Sequence, residues 1–245
     1  MTNTATNTPY YEDADLHSAS DEYAARFSGE AGRWMLEVQE KIVLKLLSEH
    51  SARKVLDVGG GHGQIAKPLI KRGYSVKVLA SSEAATHQIR DLIRDQSCEV
   101  DIGDLLKITS PELHFDLVTC FRLLPHCNEW KLLVKELCRV SRRSVIVDYP
   151  VRCSVNALTP LLFGAKKSVE KNTRPYSLFT DREVILEFQK YGFRPKKLVR
   201  QFFVPMVLHR MLKNPRLSAL LELFPKVSGL TRLFGSPVIA EFVRS

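Results

Sequence analysis

The chain has 245 residues, 44% hydrophobic and 26% charged, which suits a soluble globular protein able to bury one sizeable core. No run approaches the roughly 18 consecutive apolar residues of a membrane span, and the Thr- and Asn-rich start lacks the basic and apolar regions of a signal peptide. Residues 1–20 therefore read as a disordered polar leader, followed by a single domain over 21–245. The five cysteines show no C-x-x-C pairing, which argues for a reducing compartment, expected to be cytoplasmic, and against a disulfide frame or a structural metal site. The net charge of +9 is uneven: residues 151–245 carry 17 Lys+Arg against 6 Asp+Glu, so this part suits anionic partners as well as a plain solvated surface.

In chain order, residues 21–50 read as a helical cap, with Gly29 and Gly32 expected to break it in two. A short apolar strand, 54–58, runs straight into Gly59-Gly-Gly-His-Gly63, and a helix follows from 64 to about 72, stopped by Gly73. Strands at 75–79, 98–102, 115–120 and 144–148 alternate with helices at 83–95 and 129–140. A helix at 181–191, stopped by Gly192, leads to a strand at 198–204 and a last one at 237–243. Between those two lies a helical insert, 205–236, interrupted at Pro215, Pro225 and Gly229. Such alternation means an α/β fold with a mostly parallel sheet covered on both faces.

A strand, a tight glycine turn and a helix bring backbone N–H groups close to a ligand. The spacing Asp57-x-Gly59-x-Gly61-x-Gly63 differs from the G-x-G-x-x-G of a nicotinamide enzyme and argues against one. Asp57, inside the strand, needs hydrogen bonds to offset its burial. Gly103-Asp104 follows the third strand, where a carboxylate can accept from an adenine amino group or simply serve the turn.

Val55-Leu-Asp-Val-Gly-Gly-Gly-His-Gly63, Gly103-Asp104 and Phe115-Asp-Leu-Val118 resemble the class I S-adenosylmethionine-dependent methyltransferases over roughly residues 20–245. The resemblance implies a Rossmann-like seven-stranded sheet, mostly parallel, with an antiparallel last strand inserted between the fifth and sixth. It implies S-adenosyl-L-methionine as cofactor, with Gly59, Gly61 and Gly63 against its methionine part, Asp57 supporting the turn and Asp104 on the adenine. The family's acidic residue at the end of the second strand, which grips the ribose, is Ala80 here. Ser81, Ser82 or Glu83 stand nearby to replace it, although Ser82 and Glu83 suit a helix cap equally well.

Loops at the carboxyl ends of the strands form the acceptor site in open α/β sheets. On that ground His126, after the fourth strand, and His209, in the insert, are the candidate general bases. Tyr149, Arg174, Tyr176 and Arg210 are candidate contacts to an anionic or hydroxylated acceptor. No Asn/Asp-Pro-Pro-Tyr/Phe motif or RNA-binding module occurs, which disfavours nucleic acid. The reading is a methyltransferase acting on a small-molecule, lipid or glycan acceptor, at oxygen foremost, with carbon as the other option; a weakly active, methyltransferase-like binding domain is the alternative. The insert's apolar and basic residues fit a lid, a helix lying on a membrane, or an ordinary packed surface helix.

Overall fold

Near-continuous apolar runs, buried on both faces, build the sheet in the computed structural model, which describes residues 13–48, 54–155 and 176–245. The strands are β1 Lys54–Val58, β2 Ser75–Ala80, β3 Glu99–Ile102, β4 Phe115–Cys120, β5 Ser141–Tyr149, β6 Phe193–Phe202 and β7 Ser236–Arg244. They form one 7-stranded sheet in the order β3-β2-β1-β4-β5-β7-β6. Strands β1 to β5 pair in parallel, and β7 runs antiparallel to both its neighbours. This is the expected topology, with the last strand between the fifth and sixth.

The helices are α1 Ala14–Ser18, α2 Asp21–Ala25, α3 Gly29–Leu47, α4 Ala66–Ile70, α5 Arg90–Arg94, α6 Trp130–Val140, α7 Asp181–Gln189, α8 Met206–Leu212, α9 Pro215–Val227 and α10 Leu230–Phe234. Two hydrophobic layers hold them to the sheet. Leu56, Val58, Val145 and Val147 face α6 and α7 through Leu133, Leu137 and Phe188. Val55 and Ile146, one residue out of phase, face α3 and α4 through Leu46, Leu47 and Leu69. The alternation thus delivers each strand's side chains to opposite layers. Thr180 and Glu183 form a reciprocal capping box that starts α7, and Asn214 with Pro215 starts α9.

Several boundaries differ from the sequence expectation. Residues 14–18 form α1, inside the stretch read as a disordered leader, because Ala14 and Asp15 are buried against the sheet end. The cap breaks at residues 26–28 rather than at Gly32, which sits inside α3 where a Cβ would collide with the Phe27 carbonyl. The segment after β2 begins as a 3-10 helix, Ala84–Ile89, before α5. Strand β6 starts at Phe193, five residues before the expected start; its charged residues are tolerated because it is an edge strand. Pro225 lies within α9, near its end, and does not interrupt it.

Phe242 of β7 stacks on Phe188 of α7 with ring centroids 3.9 Å apart, locking the inserted strand to the α6–α7 layer. Truncating Phe242→Ala is expected to cost about 3–5 kcal/mol of unfolding free energy, measured by urea titration with an unchanged m-value.

Candidate active site

The turn after β1 is built from close backbone approaches. Gly59 (φ +71°) donates its N–H to the Leu79 carbonyl of β2 at 2.8 Å, and Gly63 (φ +70°) closes the 3-10 turn that follows. A Cβ on Gly60 would strike the Asp57 carboxylate, and one on Gly61 would strike the Ala85 carbonyl. Only glycine fits there. Beneath the turn, Asp57 is fully buried, with Oδ1 accepting from the Thr119 hydroxyl of β4 at 2.7 Å and Oδ2 lacking a partner. Burial pushes its carboxyl up to about 7, partly offset by Thr119.

Beside the end of β2, where Ala80 stands, lies a carboxylate from elsewhere in the chain. Asp15 of α1 is fully buried, and its Oδ2 accepts the Ser81 N–H at 2.8 Å. Burial raises its carboxyl above the usual range, and the facing Ser81 hydroxyl and N–H offset part of this. Neither Asp15 Oδ1 nor Ser81 Oγ completes a hydrogen bond. A Cβ on Gly59 would lie 3.4 Å from Asp15 Cβ, and Ala14 is buried in the apolar cluster of Leu79, Leu105 and Leu123. Helix α1 thus lies across the glycine turn. Ser82 accepts the Ala85 N–H at 3.3 Å, the capping role. Asp104 accepts the Leu106 N–H at 2.9 Å, so one of its oxygens serves the turn after β3.

A cavity of about 260 Å³ opens at the carboxyl ends of β4 and β5, walled by Phe27, Met35, Pro125, Val151, Phe202 and Met206 among others. Its polar lining includes Arg122, His126, Asp148 and Gln201, together with Gln39, Ser154 and Ser236. Arg122 (φ +60°) is buried, its guanidinium 4.0 Å from the Phe27 ring centroid and 5.3 Å from that of Tyr23. Its N–H donates to Asp148 Oδ1 at 2.6 Å. Burial raises the Asp148 carboxyl to about 6, against the N–H and charge of Arg122. Arg122 Nη1 and Gln201 Nε2 are buried donors without a partner. His126 ends the 3-10 turn after β4, its ring between His17 and Tyr176 at 5.6 and 5.4 Å.

Gly59, Gly61, Gly63, Asp57 and Ser81 therefore gather at one end of the sheet, and His126 and Tyr176 reach the cavity beside it. Other expected residues do not. His209 is fully buried, 3.1 Å from Glu222 Oε1, and packs on Trp34 and Phe202 outside the cavity. Tyr149 is a core residue whose hydroxyl donates to Asp181 at 3.0 Å. Arg210 is exposed on α8, away from the cavity. Arg174 lies outside the described residues. Sequence reasoning missed Asp15, hidden in a stretch taken for a leader, and also Arg122, Asp148 and Gln201. The ends of β4 and β5 could have signalled Arg122 and Asp148. Among the described residues no cluster of His, Cys, Asp and Glu could hold a metal ion, and the five cysteines are free thiols.

Because the folded-state carboxyl of Asp57 is raised, its contribution to stability is complete below pH 3.8 and is lost as pH rises through about 7. Asp57→Asn is expected to flatten the fall in Tm between about pH 4 and 8, an effect worth up to about 4 kcal/mol. Thermal melts across that window check this; parallel curves for both proteins would contradict it.

Residues 55–144 match the family described as a methyltransferase domain. The chain is 31% identical over 125 residues to the demethylmenaquinone methyltransferase of Deinococcus radiodurans, covering 47% of this chain and 48% of that protein. It is 28% identical over 129 residues to the ubiquinone biosynthesis O-methyltransferase of Alkalilimnicola ehrlichii, covering 46% and 52%. The matches thus span about half the length of these curated relatives. In fold, it is similar to the magnesium protoporphyrin IX methyltransferase of Synechocystis with bound SAH, with a TM-score of 0.67 at 15% identity, covering 96% of this chain and 98% of that one.

Proposed function

The chain belongs to the class I S-adenosylmethionine-dependent methyltransferases, and on that premise we propose that it methylates an oxygen of a small, largely apolar acceptor. The observation that carries this reading is the apolar cavity holding two unpartnered donors, Arg122 Nη1 and Gln201 Nε2, beside His126 and Asp148. A buried donor without a partner is costly and is relieved by an acceptor oxygen. The cavity volume of about 260 Å³ falls just below the roughly 300–1,000 Å³ of pockets that enclose drug-sized ligands. It suits a one- or two-ring head. The relatives named for demethylmenaquinone and ubiquinone biosynthesis make a hydroxylated quinone precursor the leading candidate.

The donor fits the neighbouring end of the sheet. Asp15 Oδ1 and Ser81 Oγ, buried and unpartnered, match the two hydroxyls of a ribose, and Asp15 thereby supplies the carboxylate absent at Ala80. The glycine turn allows the close approach its methionine part needs, and the free oxygen of Asp104 is the adenine contact. When bound, S-adenosylmethionine supplies an electrophilic sulfonium methyl.

Direct displacement at that methyl needs alignment above all. Arg122 and Gln201 hold an acceptor oxygen, Asp148 fixes Arg122 through its backbone N–H, and Tyr176 edges the cavity. His126 takes the hydroxyl proton. Methyl transfer to a panel of phenolic and quinol acceptors tests this. His126→Asn is expected to lower kcat about 10²-fold, whereas Arg122→Lys raises KM. An acidic limb near pH 6 that persists in His126→Asn and vanishes in Asp148→Asn would instead make Asp148 the base. No transfer to any acceptor of the panel would refute the proposed acceptor class.

A further inference from the structure

We propose that the insert between β6 and β7 docks this protein on an anionic lipid bilayer. Helix α9 is built inside out. Its buried residues are Ser218, Glu222 and Pro225, while Leu217, Leu220, Leu221, Phe224 and Val227, which share the opposite face at three- to four-residue spacing, are exposed. Phe224 is 72% exposed and Val227 80%. Of the 16 exposed large hydrophobic residues among those described, 9 lie between Met211 and Phe234. They form a concentrated patch, whereas scattered apolar residues would need no explanation.

The charges of the insert select the occupant. Its basic residues Arg210, Lys213, Arg216, Lys226 and Arg232 are all exposed. Its one acid, Glu222, is 0% exposed and turned inward, facing His209 and accepting the backbone N–H groups of Phe203 and Val204 at 3.1 and 3.0 Å. Two copies meeting through this face would bring like charges together. An anionic bilayer takes both the apolar face and the basic rim.

The placement also serves the cavity. Phe202 and Met206 at the start of the insert, with Ser236 and Pro237 at its end, line the cavity wall. The insert that carries α9 is therefore joined to the cavity wall at both its ends, and an apolar acceptor would draw on the same bilayer. This last point rests on the proposed function; the docking itself does not, and its test needs no activity.

Sedimentation of the full chain with vesicles of about 3:1 phosphatidylcholine to phosphatidylglycerol is the experiment. Expected is co-sedimentation that weakens about tenfold with neutral vesicles or in about 0.5 M NaCl. The double substitution Phe224→Ser, Val227→Ser should weaken it at least about tenfold, without changing the melting curve, since both side chains are exposed. Charge reversal by Lys226→Glu with Arg232→Glu is an independent second arm with the same expected direction. Protein remaining in the supernatant with anionic vesicles would overturn the proposal. So would vesicle binding indifferent to both pairs of substitutions, or a dimer dissociated by them in a protein that binds no vesicles.

Discussion

Backbone packs on backbone in the turn from Gly59 to Gly63, with no room for a side chain above Asp57 or against the Ala85 carbonyl. That constraint ties three elements together. Asp57 of β1 is buried beneath the turn and bonded to Thr119 of β4, while Gly59 is bonded to Leu79 of β2. The turn stands at the carboxyl ends of the parallel strands, and α1 lies across it. The buried carboxylate at the base of the turn costs stability near neutral pH. Such a cost is typical of a site held for binding rather than for folding.

Around this turn the topology gathers the rest. Inserting β7 between β5 and β6 places the starts of β7 and α8 next to the end of β5. Phe202, Met206 and Pro237 can then close one side of the cavity, while α2, α3 and the break between them close another through Tyr23, Met35 and Phe27. Arg122 sits at the junction. Its left-handed backbone turns its N–H onto Asp148 and its guanidinium under the aromatic rings of the N-terminal segment. One residue thus links β4, β5 and the helical cap.

The sheet and the glycine turn were legible because both rest on local pattern: short apolar runs alternating with helices, and glycines spaced after a strand. Edge strand β6 was read five residues short, since Arg194, Lys196 and Lys197 break the apolar pattern that a buried strand would keep. The site was half legible. Residues fixed by the turn came out of the sequence, whereas Asp15 acts through a contact 66 positions away from a stretch with no periodicity of its own. His209 looked like a candidate base only because its partner Glu222 is 13 residues on and its burial is set by Trp34 and Phe202. The insert's inverted helix was equally hidden, because a wheel of apolar and basic residues does not say which face meets the protein.

The central claim is that the glycine turn, with Asp15 and Ser81, forms a donor site. Isothermal titration of S-adenosylhomocysteine into the full chain and into Asp15→Asn tests it most directly. One-to-one binding to the wild-type protein is expected, with affinity at least about tenfold weaker in the variant, the loss of one charge-assisted hydrogen bond. No binding to the folded wild-type chain would contradict the donor site itself, and equal affinity in both proteins would contradict the role of Asp15.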